Sequence, residues 1–300
     1  MKSYFTFLSR NKLYTAIQFF GLAIALGVVL LLTLYAKTEF NIGNRQPYSH
    51  QLYAIGYGDG IGMTIGTAPE LFPSIPEIKE WTRFINSELT DLTIDNNYYQ
   101  ANSLAVDSNF FRMLGYSLIG CNCDKALSGT DEAVISEPFA RKVFGNENPI
   151  GRTIMYQNQT PLRVIGILPA FDPTELLKPV DLLVSIKLVE KAYAWMDNFG
   201  STQTFVTLAE GATPGTVSRK LLDSYKSYWN YWKEDNSTNS FMWGSSLTRM
   251  DEIYFSPMNH YTPFRNGTRK QVQILLAIAM ILLLSAVFNY INLTVSQTGK

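Results

Sequence analysis

The sequence predicts an α+β domain outside the cytoplasm, flanked by two transmembrane α-helices. Two observations predict this architecture. A long stretch without any charged residue lies near each end of the 300-residue chain. The polar segment between these stretches, about 230 residues, alternates strand and helix patterns and is long enough to form its own hydrophobic core.

Residues 13–36 form the first predicted span. They carry no charge between Lys12 and Lys37, and an α-helix of that length covers about 36 Å, more than the roughly 30 Å of a bilayer's hydrocarbon core. A cleaved signal peptide is the alternative, but its apolar region spans only about 7–15 residues and ends at a small-residue cleavage site. Leu34 occupies the position where a small residue would be needed, so the sequence favours an uncleaved anchor.

Residues 271–295 form the second predicted span. The charge-free stretch extends over residues 271–299, and its centre, residues 274–288, is apolar on all sides. That pattern is expected for a helix surrounded by lipid. Residues 296–300 would then begin a cytoplasmic segment.

The charges before the first span predict the orientation of the chain. Lys2, Arg10 and Lys12 precede this span without any acidic residue, and positively charged flanks stay in the cytoplasm. The basic residues just before the second span oppose this orientation: Arg265, Arg269 and Lys270. Because the first span usually dominates, we expect both chain ends in the cytoplasm and residues 37–270 outside it.

Residues 1–12 have an amphipathic pattern of their own. Tyr4, Phe7 and Leu8 share one helical face, with Phe5 beside them, and the remaining positions are mostly polar. Such a segment can lie in the headgroup plane before the chain enters the membrane. A frayed tail explains the same spacing equally well, so both interpretations stay open at this point.

Several local signals predict strands and helices within residues 37–270. Residues 51–57 and 204–208 have strand composition, whereas residues 68–82 mix proline with helical spacing and predict a broken helix. Ser136 is placed to cap a helix that Gly145 would end. The stretches TIMYQ and LRVIGIL, separated by a polar turn, predict two paired strands.

The sequence offers little catalytic chemistry. Twenty-five basic residues balance twenty-five acidic ones, which argues against nucleic acid as a partner. Two cysteines and two histidines are too few for a zinc cluster or a disulfide scaffold. Cys121 and Cys123 are predicted to be free thiols or a loop-stabilising bridge rather than metal ligands. We therefore predict no catalytic, cofactor-binding or metal-binding residue.

An aromatic cluster occurs near the end of the predicted outer domain. Tyr225, Trp229 and Trp232 share a helical face at spacings of four and three residues, which is typical of core packing. A groove for an apolar substrate or a partner protein is the alternative interpretation.

The chain resembles permease subunits of the MacB/FtsX-like ABC transporter family along nearly its whole length. No single motif is diagnostic, but the order of the matching segments between two predicted spans is specific. The segments that carry the resemblance are LSRNKLYTAIQFFGLAIALG (8–27), VDSNFFRMLGYSLIGC (106–121), AVISEPFARKVFGNENPIGRTI (133–154), LRVIGIL (162–168) and FNYINLTVSQTGK (288–300).

The resemblance implies a transport subunit that is not itself an enzyme. Residues 1–12 would be a cytoplasmic elbow helix. Residues 37–270 would be a MacB-like periplasmic core domain with a porter-like part and an inserted, strand-rich subdomain at residues 106–179. The protein would lie in the cell inner membrane. Family members have four spans, so this chain would be the front portion of a longer permease.

The resemblance also implies the partners. A cytoplasmic ABC ATPase dimer would bind ATP and Mg²⁺, so this chain needs no cofactor, and a second permease copy would complete the membrane part. A periplasmic adaptor or envelope protein is a further expected partner, and the lipid bilayer surrounds the spans. The family exports or extracts lipoproteins, peptides, toxins or antibiotics, or regulates cell-wall hydrolases.

Four residues are candidates for helix packing or for coupling to the ATPase. Asn289 and Asn292 lie near the inner end of the second span, where a polar side chain is costly to leave facing lipid. Phe5 and Leu8 would supply the apolar face of the elbow helix. Two other classes remain open: a two-span sensor with an outer ligand-binding domain, and a two-span scaffold protein.

Overall fold

The structure is a computed structural model, and it describes residues 12–44, 46, 48–57, 60–63, 65–193, 202–228, 245–256 and 263–298. The chain divides into two units. One contains the two terminal helices, and the other, Ile42–Asn266, contains every described strand. We call the second unit the central domain.

The terminal unit consists of two long helices, α1 (Lys12–Asn41) and α7 (Arg269–Thr298). Each has 30 residues and is therefore about 45 Å long. Within them, Phe19–Asn41 and Arg269–Asn292 are long and apolar enough to cross a membrane. Only 6% and 11% of their most apolar windows are buried, so neither is the core helix of a globular fold.

The two terminal helices pack along a seam with a regular spacing. The least exposed positions of each helix recur at alternating intervals of about three and four residues, the period of left-handed helix pairs. The seam positions are Leu22, Ala25, Val29, Leu32 and Ala36 on α1, and Val272, Leu275, Leu276, Ala279, Leu282 and Ala286 on α7. The remaining faces are mostly exposed.

The central domain contains a ten-stranded sheet and several short helices. The strands pair in the order β10-β1-β9-β3-β4-β8-β5-β7-β6, and β2 pairs with β1. The strands are β1 (Leu52–Tyr57), β2 (Gly60–Ile61), β3 (Ile78–Ile94), β4 (Asn97–Val106), β5 (Glu132–Ser136), β6 (Thr153–Tyr156), β7 (Thr160–Leu168), β8 (Leu182–Ser185), β9 (Gln203–Leu208) and β10 (Ser245–Arg249).

Short helices connect these strands. The α-helices are α2 (Thr67–Leu71), α3 (Phe110–Leu114), α4 (Glu137–Phe144), α5 (Ile186–Tyr193) and α6 (Pro214–Tyr228). Two 3₁₀ helices occupy Phe72–Ser74 and Met250–Phe255.

Four strands form an antiparallel layer of the split βαβ type. The chain runs β1-α2-β3 and later β9-α6-β10, and the strands lie in the order β10-β1-β9-β3 with antiparallel neighbours. This is the ferredoxin-like β-α-β-β-α-β arrangement. An apolar cluster packs the two helices on this layer: Ile55, Met63, Ala68, Leu71, Phe72, Ile75, Ile78, Val206, Val217 and Leu221.

Six strands close into a barrel that is inserted between the two halves of this layer. The pairing continues from β3 through β4, β8, β5 and β7 to β6, and β6 pairs back to β3 at Leu92↔Tyr156. Closure removes the free edges that would otherwise invite aggregation. The insertion was expected to cover residues 106–179, but the barrel also includes β3, β4 and β8. These three strands are needed because the barrel closes only with all six strands.

Strand β3 belongs to both parts. Its beginning pairs with β9, its end pairs with β6, and the register of its pairing with β4 shifts between Ser87 and Thr90. An irregularity of this kind bends a strand and raises its local twist. One strand of 17 residues therefore connects the layer to the barrel.

An aromatic cluster fills the space between the layer and the barrel. The Phe84 ring lies 5.4 Å from Phe110, 5.7 Å from Phe205 and 5.6 Å from Phe264, measured between centroids. Phe205 and Phe264 are also 5.6 Å apart. All four side chains are buried, so residues from the layer, from α3 and from the last described segment of the central domain share one core.

Candidate functional site

A short segment between β7 and β8 is folded into a tight turn by its own side chains. The Asp172 carboxylate accepts a hydrogen bond from the Thr174 backbone N–H at 2.7 Å. The Glu175 carboxyl in turn accepts one from the Asp172 backbone N–H at 3.0 Å. This reciprocal pattern is that of a capping box, and it orders the backbone of residues 172–175.

This turn binds the residues that follow α1. The Gly43 backbone N–H donates to the Thr174 carbonyl at 3.0 Å, only two positions after α1 ends at Asn41. Gly43 has a φ of +80°, a conformation that side chains disfavour. Ile42 is buried in the same apolar cluster as Leu176 and Leu177.

The same segment binds the residues that precede α7. Leu177 and Phe264 form an antiparallel bridge. It is flanked by bonds from the Arg265 N–H to the Leu176 carbonyl at 2.7 Å and from the Lys178 N–H to the Pro263 carbonyl at 2.8 Å. The Arg265 guanidinium also donates to the Pro173 carbonyl at 2.6 Å.

We call this arrangement the clamp: residues 172–178 together with Ile42–Gly43 on one side and residues 263–265 on the other. It lies wholly within the central domain. The two chain connections to the terminal helices are therefore bonded to one segment, and that segment connects two strands of the barrel.

A buried polar relay extends the clamp. The Gln46 carboxamide donates to the Tyr116 hydroxyl at 3.0 Å, and the Glu175 carboxyl lies near that hydroxyl. Burial is the larger and the Glu175 charge the smaller of two causes that raise the pKa of Tyr116 well above its ordinary value. The hydroxyl therefore keeps its proton. Burial is also the largest influence on Glu175, and its pKa is raised.

A second polar group ties the layer to the barrel. Arg83 on β3 donates to both oxygens of Asp107, which follows β4, at 3.0 and 2.9 Å. It also donates to the Ile65 carbonyl at 2.8 Å and to Glu190 on α5 at 3.2 Å. Burial acts to lower the pKa of Arg83, but the bonds with Asp107 outweigh it and the pKa is raised. The guanidinium therefore stays charged.

The chain matches the model of the MacB-like periplasmic core domain over residues 15–223, which is more than half of its length. The chain belongs to the MacB/FtsX-like permeases. Its fold agrees with this membership, because a mixed helix and strand domain lies between two apolar terminal helices. A periplasmic domain flanked by such helices indicates an inner-membrane protein.

Two solved structures have the same fold as the central part of this chain. A domain of a permease protein from Porphyromonas gingivalis is 18% identical, and the match covers 77% of this chain and 99% of that domain with a TM-score of 0.55. The periplasmic region of MacB from Actinobacillus actinomycetemcomitans is 19% identical, with coverage of 74% and 96% and a TM-score of 0.51. No curated protein sequence matches the chain.

The described part of the permease contains no group of three or more histidine, cysteine or acidic residues that could hold a metal ion. Cys121 and Cys123 are free thiols, and the Cys123 thiol donates to the Tyr116 carbonyl at 3.2 Å. Burial raises the pKa of the Cys121 thiol, and the nearby Cys123 adds a smaller increase. A thiol with a raised pKa is less reactive. Both cysteine side chains pack against the main apolar core cluster.

A groove of about 540 Å³ with a mixed polar and apolar lining lies beside β1 and α3. Its lining includes Arg112, which is paired with Glu80 and lies 3.1 Å from Asp124. The ring nitrogen Nδ1 of His50, another lining residue, is 2.9 Å from the Asp251 carboxylate. Lys79 also lines the groove, so the lining carries charges of both signs.

The structure places some of the predicted site residues. Asn289 and Asn292 lie on α7 and are exposed in this chain. Asn289 follows Ala286 by three positions and so continues the spacing of the helix seam. Tyr225 lies in α6. The other predicted site residues lie outside the described part of the chain: Phe5, Leu8, Trp229 and Trp232.

The sequence analysis missed the clamp. Most of its bonds join backbone groups, which leave no signature in the side chains. One signal was available: the D-x-x-E spacing of Asp172 and Glu175, which predicts reciprocal capping even though no helix follows it here.

Replacing Gly43 by alanine is expected to destabilise the central domain by about 1–2 kcal/mol, because a side chain at this φ is strained. The new Cβ would also lie 3.3 Å from the Met250 carbonyl oxygen. Thermal unfolding of the full chain measures the loss. Gly215→Ala on α6 is the control, since nothing lies within 4 Å of its Cβ position. Equal melting temperatures for Gly43→Ala and the unmodified chain would contradict the prediction.

Proposed function

We propose that the chain is the permease subunit of a MacB/FtsX-type ABC transporter, in which the clamp transmits motion from the terminal helices to the central domain. A partner ATPase on the cytoplasmic side supplies the energy by hydrolysing ATP. The chain itself acts mechanically. Export or extraction of a lipoprotein, a peptide or an antibiotic, or regulation of an envelope partner, would be the output.

One observation carries this proposal: both connections to the terminal helices are bonded to residues 172–178. A relative shift of the two helices would pull on Gly43 and Arg265 at the same segment. That segment connects β7 and β8 of the barrel. Displacement of the segment therefore acts directly on the barrel, because a packed core transmits strain rather than absorbing it.

Membership of the family and the fold of the central domain support the same role. The exposed faces of α1 and α7 leave room for further helices, for a second permease copy or for lipid. Asn289 and Asn292 on α7 remain candidates for packing against such helices, because polar side chains are enriched at helix contacts in membranes.

The test uses the full protein with its co-purified ATPase in lipid nanodiscs. Arg265→Gln removes the side-chain bond to the Pro173 carbonyl while leaving the backbone bonds of the clamp in place. We expect the ATP-driven change in hydrogen exchange of the barrel strands, per ATP hydrolysed, to fall about two- to tenfold, in line with the loss of one charge-assisted hydrogen bond.

Arg141→Gln is the matched control, because Arg141 is an exposed arginine on α4 whose ion-pair partner among the described residues is Glu137 in its own helix. It should retain the response of the unmodified protein. If Arg265→Gln also retains that response, the clamp does not carry the motion. If no ATPase accompanies the full protein, the proposed coupling to ATP hydrolysis is wrong.

A further inference from the structure

Positive charge is concentrated where the two terminal helices join the central domain. Lys37 is the first charged residue after the apolar stretch of α1, and Arg269 and Lys270 directly precede the apolar stretch of α7. All three side chains are exposed. The two helices contain one acidic residue, Glu39. We call Lys37, Arg269 and Lys270 the basic end of the helix pair.

The three cationic residues lie at one level of the pair. Because α1 ends and α7 begins at the central domain, the helices are antiparallel, and the last seam position of α1, Ala36, lies near the first of α7, Val272. Lys37 directly follows Ala36. Arg269 and Lys270 precede Val272 by less than one helical turn, about 5 Å along the axis.

This level corresponds to the headgroup region of a bilayer. Residues 13–36 and 271–299 contain no charge, so the basic end flanks the part of each helix that suits the hydrocarbon core. Tyr35 and Phe40 are exposed at the same end, and aromatic side chains are enriched at the boundary between membrane and water. Lysine and arginine side chains there extend toward the headgroups.

Exposed apolar side chains continue the basic end toward the membrane centre. Leu34 precedes Lys37 by three positions and Ile274 follows Lys270 by four, so each pair shares a helix face. Both apolar side chains are exposed in this chain. Each face therefore offers a cation at headgroup level and an apolar surface beneath it, which matches the phosphate and the acyl chains of one lipid.

The central domain has the opposite charge. Residues 42–266 contain 18 lysines and arginines against 24 aspartates and glutamates, and an acidic domain is repelled by an anionic membrane surface. The basic end is therefore not an extension of a generally basic protein. Since α7 begins at Arg269, the positive end of its helix dipole lies at the same level and adds to the attraction for anions.

We propose that the basic end binds the phosphate groups of anionic phospholipids in the leaflet on the side of the central domain. Arg269 suits bidentate contact with a phosphate, and the two lysines act as point charges. The ammonium group of a zwitterionic lipid offsets this attraction. The inference goes beyond the proposed coupling role, because it requires neither an ATPase nor the clamp.

The test is native mass spectrometry of the full chain, released from nanodiscs that contain equal amounts of phosphatidylglycerol and phosphatidylcholine with identical acyl chains. The unmodified chain should retain phosphatidylglycerol in preference. Lys37→Gln, Arg269→Gln and Lys270→Gln should each lower the ratio of the retained lipids about fivefold, the effect of about 1 kcal/mol for each charge at a membrane surface. Lys270→Arg keeps the charge and should keep the ratio.

The matched control combines Lys125→Gln, Arg141→Gln and Lys142→Gln, which remove three exposed positive charges from the central domain. It should retain the preference of the unmodified chain, whereas the triple variant of the basic end should lose it. Equal retention of the two lipids by the unmodified chain would overturn the proposal. So would equal losses in the two triple variants, because net charge alone would then explain the preference.

A second measurement needs no variant. Electron paramagnetic resonance of spin-labelled lipids compares the association of phosphatidylglycerol and phosphatidylcholine with the unmodified chain in a bilayer. Raising the salt concentration from 0.1 M to 1 M shortens the screening length from about 10 Å to about 3 Å, so the preference should shrink toward equality. An unchanged preference at 1 M would overturn the proposal. Neither experiment involves ATP, so the Arg265→Gln experiment judges the coupling role separately.

Discussion

Replacing Phe264 by alanine is expected to destabilise the central domain by about 3–5 kcal/mol, the usual cost of removing a buried aromatic ring. The ring is 1% exposed and contacts both Phe84 and Phe205. Its backbone belongs to the clamp. The substitution should therefore lower stability and also loosen the connection to α7. Urea unfolding of the full chain in detergent, followed by tryptophan fluorescence, measures the first effect.

Leu89→Ala is the control for this substitution. Leu89 is 63% exposed on the barrel, so truncating it should change the unfolding free energy by less than about 0.5 kcal/mol. Destabilisation by Phe264→Ala that is no greater than that of Leu89→Ala would show that the aromatic cluster does not join the layer, α3 and the clamp into one core.

Replacing Arg83 by methionine is expected to cost about 3 kcal/mol, because Asp107 would lose its countercharge while largely buried and would keep the hydrogen bond from the backbone N–H of residue 83. The Arg83 and Asp107 side chains are 9% and 20% exposed, and methionine preserves most of the apolar volume of arginine. The Ile65 carbonyl would also lose its donor. The same urea experiment measures the loss.

The matched control for Arg83 is Arg141→Met. Arg141 is 76% exposed and pairs with Glu137 along one helix, an arrangement that contributes about 0.5 kcal/mol or less. If the two substitutions have similar effects, the Arg83 group does not hold the layer to the barrel.

Local patterns predicted the local structure well. Ser136 caps α4 by accepting a bond from the Phe139 N–H at 3.4 Å, and α4 ends before Gly145, which has a φ of +61°. The stretches TIMYQ and LRVIGIL supply the antiparallel pair β6 and β7. These features depend on residues close together in sequence, so periodicity and capping rules are sufficient to find them.

The broken helix predicted over residues 68–82 was wrong in its last part. Helix α2 and the following 3₁₀ turn end at Ser74, and β3 begins at Ile78. Over so short a stretch, the apolar residues there fit the helical period and the strand period equally well. Pairing with β9 makes this part of the chain a strand. The long hairpin of β3 and β4 was also missed, although Asp95 and Asn96, both with positive φ, are typical residues of a tight hairpin turn.

The barrel and the clamp were beyond prediction from local patterns because their defining contacts join distant segments. Barrel closure brings Leu92 opposite Tyr156, and the clamp brings Gly43 to Thr174. Neither pairing leaves a periodic mark on the sequence. The apolar terminal helices were predictable for the opposite reason, since each shows its preference for lipid within a single stretch.

The sharing of β3 has a mechanical consequence. Seventeen residues in extended conformation cover about 56 Å, and hydrogen-bonded neighbours stiffen both ends. The strand can therefore yield most easily where its ladder is already interrupted, between Ser87 and Thr90. At that point the hydroxyl groups of Thr90 and Ser103 are hydrogen-bonded, with their oxygens 2.6 Å apart. The irregularity would act as a pivot, so that a small rotation of one end swings the other through a larger arc.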